Sequence, residues 1–217
     1  EPFLYPEFND LIKELSQLHL IEIVTNLSCE IEEFLKLVNI DNVEIKPSFH
    51  PEFASLNDFI EKFLSIKEIK HNLEFSYLAW PPYIKNIELL QDTVSKYGVS
   101  FFIQPFYGEY NGKRYPDAYT QEELKIINPL LGDRGGRTFD TKVIKRENRI
   151  CLAGVLYAVI QPNNKIFQCG GFSLNEDNKP VIGYLGDENF KLLDEPNLCN
   201  FDVCPCNEGV KLVLYEE

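Results

Sequence analysis

Five cysteines near the C-terminus are the residues of this chain best suited to chemistry: Cys151, Cys169, Cys199, Cys204 and Cys206. They are spaced Cys151-x17-Cys169-x29-Cys199-x4-Cys204-x-Cys206, and a sixth, Cys29, stands far from them. Buried thiols can pack as small hydrophobes, but so many in a short tail favour a metal. Structural zinc takes four cysteines and staples small domains, usually through Cys-x2-Cys pairs, of which this chain has none. An iron–sulfur cluster accepts less regular spacing, because four thiolates need only converge on the corners of a cubane. Spacing alone leaves zinc and a cluster both standing. Five cysteines for four positions leave one spare, either Cys199 or one of the Cys204/Cys206 pair.

The elements that must hold these residues fall into two regions. Up to about residue 130 the chain alternates between helical and strand periods. A helix is expected from Pro6 to His19, with Phe8, Leu11, Ile12, Leu15 and Leu18 at helical spacing, then a strand over Ile21–Thr25. A second helix is expected from Cys29 to Val38, which places Cys29 on a helix. A strand around Val43–Ile45 should end at Pro47. Ser55 can cap a third helix carrying Phe59, Ile60 and Phe63. A strand at Leu73–Leu78, a helix at Ile84–Lys96 and a strand at Val99–Gln104 follow. Thr120 and Glu123 form a capping box for a last helix, Gln121 to Leu130. Strands alternating with helices predict βα units, hence an α/β fold with a parallel sheet or part of a barrel.

The loop Gly132-Asp133-Arg134-Gly135-Gly136-Arg137 breaks this rhythm and reads as a linker over 132–142. Beyond it, over 143–217, the chain becomes β-rich: a hairpin of Leu156–Ile160 and Lys165–Gln168 turns at Gln161-Pro162-Asn163-Asn164. Val181–Leu185 and Val210–Leu214 read as further short strands. A module of roughly eighty residues or fewer with so little core is often stapled, and a metal can serve.

The composition narrows the function classes. The chain has 217 residues, 44% hydrophobic and 25% charged, which is ordinary globular composition. Its formal net charge is −13, and an acidic surface repels a phosphate backbone, so no nucleic acid is expected as partner. No apolar run approaches the length of a bilayer span and no secretory leader is read, so no membrane is expected. Thiols without such a leader point to a reducing, cytoplasmic setting. The first residue is Glu1 and there is no methionine, so the chain reads as a fragment that opens in the middle of a fold.

Several of these segments together resemble the radical S-adenosylmethionine (SAM) enzymes. Glu1-Pro2, followed by Phe3-Leu4 and a helix, resembles the end of that family's Gly-Gly-Glu-Pro motif. The strand ending Val24-Thr25-Asn26 is similar to the family's third strand, and Ser48-Phe49-His50 sits where the fourth offers polar side chains. Gly112-Lys113-Arg114-Tyr115-Pro116 with Tyr119-Thr120-x-x-Glu123 looks like a recurring element before the last helix. Cys151-Leu152-Ala153-Gly154, Ile160 to Lys165 and Cys169 resemble the opening of the auxiliary-cluster domain called SPASM, or twitch in its shorter form.

The resemblance implies the C-terminal portion of a partial (β/α)6 TIM-like barrel over 1–131, followed by a twitch-like domain over 143–217. It implies that Glu1, Asn26, Ser48 and His50 bind S-adenosylmethionine, with Glu1 pairing to its ammonium group. It also implies that the tail cysteines hold an auxiliary [4Fe–4S] cluster. The intact enzyme would use a second, catalytic [4Fe–4S] cluster to make a 5′-deoxyadenosyl radical, acting on a peptide or protein. The Cys-x3-Cys-x2-Cys motif that holds that cluster is absent from this chain, which is therefore expected to be inactive alone. On the residues alone, Ser48 and His50 could equally cap a turn before Pro51. Trp80, Tyr107, Tyr110, Tyr115 and Tyr119 could equally face a substrate or pack over a core. A zinc-stapled interaction domain without catalysis is the rival reading.

Overall fold

A computed structural model of the chain describes residues 1–71, 73–131, 150–170 and 181–199. The chain divides into two compact units, Glu1–Gly132 and Asp133–Glu217.

In the first unit a 3-10 turn, Pro2–Leu4, leads into α1 (Phe8–Leu15) and then β1 (Ile21–Thr25). Next come α2 (Glu32–Leu37), β2 (Val43–Phe49), α3 (Leu56–Ile69) and β3 (Phe75–Ala79). A 3-10 segment, Pro81–Asn86, precedes α4 (Ile87–Ser95) and β4 (Phe101–Pro105). The hairpin β5 (Gly108–Tyr110) and β6 (Lys113–Tyr115) precedes α5 (Gln121–Ile127). Strands β1 to β4 form one sheet in the order β1-β2-β3-β4, and each neighbouring pair is parallel. The α/β reading with a parallel sheet is thus met. Among the described residues the sheet stays open, although a parallel bridge, Ile103↔Leu131, lies beyond β4.

The core lies on one face of this sheet. Phe59 and Phe63 of α3 meet Phe75 of β3 edge-on, with ring centroids 5.1 and 5.5 Å apart. Phe49 of β2 packs on Phe59 at 5.0 Å, and Phe75 stacks on Phe101 of β4 at 5.5 Å. Alternation along the strands sends Glu22, Glu44, Lys46, Ser48 and Ser76 to the opposite face, where Lys46 pairs with both Glu22 and Glu44.

Three expectations are corrected. Cys29 lies in the β1–α2 loop, because the helix starts only at Glu32, where the apolar spacing of Phe34 and Leu35 begins to be buried. Strand β2 does not end at Pro47 but runs to Phe49. Pro47 is tolerated because the ladder to β1 finishes at Thr25↔Pro47 and the ladder to β3 starts at Ser48↔Ser76. The first helix is shorter than its apolar repeat, ending at Leu15. The stretch Gly112–Pro116, read as an element before the last helix, belongs to a hairpin, Gly108–Tyr115. Asn111 and Gly112 both take positive φ, 49° and 70°, as a two-residue type I′ turn needs.

The aromatic residues beside this hairpin pack on one another. Trp80 meets Phe106 and Tyr110 edge-on at 4.6 and 4.8 Å, and Tyr115 meets Tyr119 at 4.9 Å. The Tyr119 hydroxyl donates to Ala79 O at 2.6 Å and accepts from Phe106 N–H at 2.9 Å, so one phenol ties the ends of β3 and β4. Thr120 and Glu123 form the expected capping box, and Ser55 caps α3.

The second unit contains β7 (Ile150–Cys151), β8 (Val159–Ile160), β9 (Lys165–Phe167), β10 (Val181–Tyr184) and β11 (Asn197–Leu198). The β8–β9 hairpin turns where expected, and β10 extends it to three antiparallel strands. Strand β11 pairs with β7. Ala153, Phe167 and Cys169 are its buried cluster, with Cys151, Tyr157 and Val181 against it. Gly154 is required there: at φ +91° a Cβ would lie 2.6 Å from the Leu193 side chain. The linker and the strand expected at Val210–Leu214 lie outside the described residues.

Replacing Tyr119 by Phe leaves a buried carbonyl and a backbone N–H without their shared partner. The expected loss is about 2 kcal/mol in urea unfolding followed by Trp80 fluorescence. Burial also pushes the phenols of Tyr77 and Tyr119 well above their ordinary value, so both stay neutral in the folded chain after they would ionise in the unfolded one. Their contribution is present below about pH 10 and declines as pH rises above it. Stability measured from about pH 9 to pH 11 should therefore fall, and less steeply in Y119F.

Candidate functional site

Parallel sheets place their binding loops at the carboxyl ends of the strands. Here the ends of β1 and β2 bring together the residues singled out from the sequence. Thr25 closes β1 and is followed by Asn26; Ser48 and Phe49 close β2 and are followed by His50.

Glu1 reaches this edge through hydrogen bonds. The Thr25 hydroxyl donates to the Glu1 carboxylate, 2.9 Å from Oε1 and 3.0 Å from Oε2. Asn26 N–H donates to Oε2 at 2.9 Å, and Phe3 N–H lies 3.5 Å from Oε1. Thr25 Oγ1 in turn accepts Leu27 N–H at 3.1 Å, which orients the hydroxyl hydrogen toward the carboxylate. Three donors on a group with about four acceptor sites leave capacity for one more donor, such as an ammonium. The carboxylate is held before any ligand arrives.

Asn26 accepts Ser28 N–H at its Oδ1, 2.9 Å away, which fixes the orientation of its side-chain amide. Leu27 between them has φ 56°, a left-handed conformation that costs a non-glycine residue about 1–3 kcal/mol. Across the edge, Ser48 Oγ lies 3.1 Å from His50 Nε2, and His50 Nδ1 is 3.7 Å from Glu52 Oε1. Ser48 is only 6% exposed, so it orients the imidazole from beneath and is poorly placed to meet a ligand itself. Glu52 also adds to the upward push on the Tyr77 phenol, after burial. Between the β1–α2 and β2–α3 loops lies a cavity of about 280 Å³, lined among others by Asn26, Ser28, His50, Asp58 and Lys62. The pocket offers an imidazole, amide groups, the Asp58 carboxylate and the Lys62 ammonium in a lining of mixed polarity, and the fixed Glu1 carboxylate meets it through Asn26, suiting it to a small zwitterionic or polar ligand.

Thr25, Asp58 and Lys62 escape selection by sequence. Thr25 has a signal, since a threonine ending a strand can turn its hydroxyl to the strand's carboxyl edge. Asp58 and Lys62 sit on α3 and look like ordinary solvated helix residues.

In the second unit, Cys151 lies opposite Asn197 in the β7–β11 ribbon, Cys199 directly follows β11, and Cys169 is buried just past β9. Cys151 packs against the cluster that contains Cys169. Among the described residues no three His, Cys, Asp or Glu form a group able to hold a metal ion. Cys204 and Cys206 lie outside the described residues. No described helix is long and apolar enough to cross a membrane.

Thr25→Val removes the hydroxyl that bridges Glu1 and Leu27 while keeping the shape of the side chain. It should destabilise the chain by roughly 1–3 kcal/mol, because a buried N–H and a carboxylate both lose a partner. Urea unfolding checks this, and wild-type stability in T25V would remove the bridge from the site's support. No protein-family model, no curated protein and no solved structure matches this chain.

Proposed function

We propose that this chain is part of a radical S-adenosylmethionine enzyme acting on a peptide or protein, with an auxiliary [4Fe–4S] cluster in its second unit. One observation carries the reading: the Glu1 carboxylate is held by Thr25 and Asn26 at the carboxyl edge of a parallel sheet, and Asn26 and His50 line one cavity there. A sequential order of parallel strands with the core helix on one face suits a segment of a (β/α)6 barrel. In this reading Glu1 takes the ammonium group of S-adenosylmethionine, and Asn26 and His50 contact its polar groups, with Ser48 orienting His50.

When bound, S-adenosylmethionine would supply the radical chemistry. The chain's own part is to fix the carboxylate, orient the imidazole and shape the pocket. The catalytic cluster's cysteine motif is absent from this chain. For the auxiliary cluster, Cys151, Cys169 and Cys199 are the right donor type, yet the described residues alone assemble no ligand group. No step is assigned to it.

Two measurements test the proposal. Anaerobic reconstitution should give about four irons with sulfide and a broad visible band, lost in Cys151→Ser and Cys169→Ser. One zinc in a colourless protein would establish the stapled interaction domain instead. In calorimetric titration, Glu1→Gln should weaken S-adenosylmethionine binding roughly tenfold by removing the charge opposite the ammonium. Equal affinity in both proteins would remove Glu1 from the site.

A further inference from the structure

We infer that Lys62 is a positioning residue for the Glu1–Asn26 edge, reaching from helix α3 to hold the β1–α2 loop in the conformation that aims Asn26 N–H at the Glu1 carboxylate. The Lys62 ammonium has three hydrogens and meets three acceptors: Leu27 O at 3.2 Å, Ser28 O at 3.3 Å and Glu30 Oε1 at 3.2 Å. All three belong to the loop that follows Asn26. Two are consecutive carbonyls, the pair whose directions are set by the left-handed turn at Leu27, φ 56°. A non-glycine residue stays in that region only when its surroundings over-determine it. Here Thr25 Oγ1 holds the Leu27 N–H from one side and Lys62 holds its carbonyl from the other.

The anchor itself is rigid. Helix α3 is packed on the sheet through Phe59 and Phe63, near Lys62 in the same helix, so the ammonium is delivered from a helix fixed by core packing. Lys62 also lines the cavity, so its stem forms a wall while its head sets the loop. Lys67, five residues further along α3, donates to Gly98 O at 3.0 Å, outside the β1–α2 loop, and supplies the matched control.

Amide hydrogen exchange tests the inference without any ligand. In Lys62→Met the Asn26 and Leu27 amides should exchange roughly tenfold faster than in the wild type, while those of Phe75 and Ile103 in the sheet keep their rates. Lys67→Met should leave Asn26 and Leu27 unchanged. Lys62→Arg keeps the charge and the donors and should hold both amides within about threefold of the wild type. Unchanged protection in K62M overturns the inference. So does acceleration spread evenly over the sheet, or a loss in K62R as large as in K62M. The consequence for S-adenosylmethionine rests on the function proposed above and is measured separately. Wild-type binding with an unaffected K62M separates Lys62 from ligand affinity, whereas failure of the wild type to bind refutes the proposed ligand and leaves the exchange result standing.

Discussion

The packing of Phe59 and Phe63 against Phe49, Phe75 and, through Phe75, Phe101 is the contact on which the first unit rests. Aromatic side chains carry a large apolar area each, and here they come from one helix and three adjacent strands. This fixes how far α3 sits from the sheet and at what rotation about its own axis. The helix start at Ser55, the cavity wall at Asp58 and the reach of Lys62 all follow from that rotation. Glu1, Asn26 and His50 are then positioned by short connections from a sheet already held in place.

Much of this first unit is legible in sequence. Alternation marks Ile21–Thr25, helical spacing marks Phe59, Ile60 and Phe63, and side-chain oxygens at Ser55 and Thr120 mark helix starts. These signals are local, and each states a physical need of the backbone. The misreadings come where a tertiary partner overrides a local rule. Pro47 looks like a strand end until the exchange of neighbours at that residue is known. The apolar repeat beyond Leu15 looks helical, yet Leu18 and Leu20 are strongly exposed, and the chain past Leu15 closes in one hydrogen-bonded turn, with Leu18 and His19 N–H both on Leu15 O, rather than continuing the helix. The hairpin is different: Asn111-Gly112 between two short runs is a legible turn signal, hidden only when the segment is taken as a lead-in to α5.

The site divides along the same line. Asn26, Ser48 and His50 stand out because polar residues at the ends of strands are conspicuous, Glu1 only through the resemblance of Glu1-Pro2, and the fold does bring them to one edge. Thr25 and Lys62 do not stand out. The role of a threonine hydroxyl bridging a residue 24 positions away, or of a lysine spanning 35 positions to a carbonyl, exists only in three dimensions. The cysteines show the converse limit. Their number suggests a metal from sequence, while the described part of the second unit shows Cys169 serving in a small apolar core with Cys151 beside it.

The exchange of partners at Pro47 has a mechanical meaning. Strand β2 is laddered to β1 at five register positions, from Val43 to Pro47, and to β3 at only two, Ser48 and Phe49. The sheet is therefore two stiff ribbons, β1–β2 and β3–β4, joined by a short seam at the very edge where the site lies. A twist between the ribbons would concentrate its strain at that seam, at Ser48 and Phe49, while moving their far ends most. His50, the residue after Phe49, sits at the end of that seam, where the β2 side of the site meets the second ribbon. The Glu1–Asn26 contact lies on the β1 side of the first ribbon, away from the seam, and ties the end of β1 to the N-terminal turn.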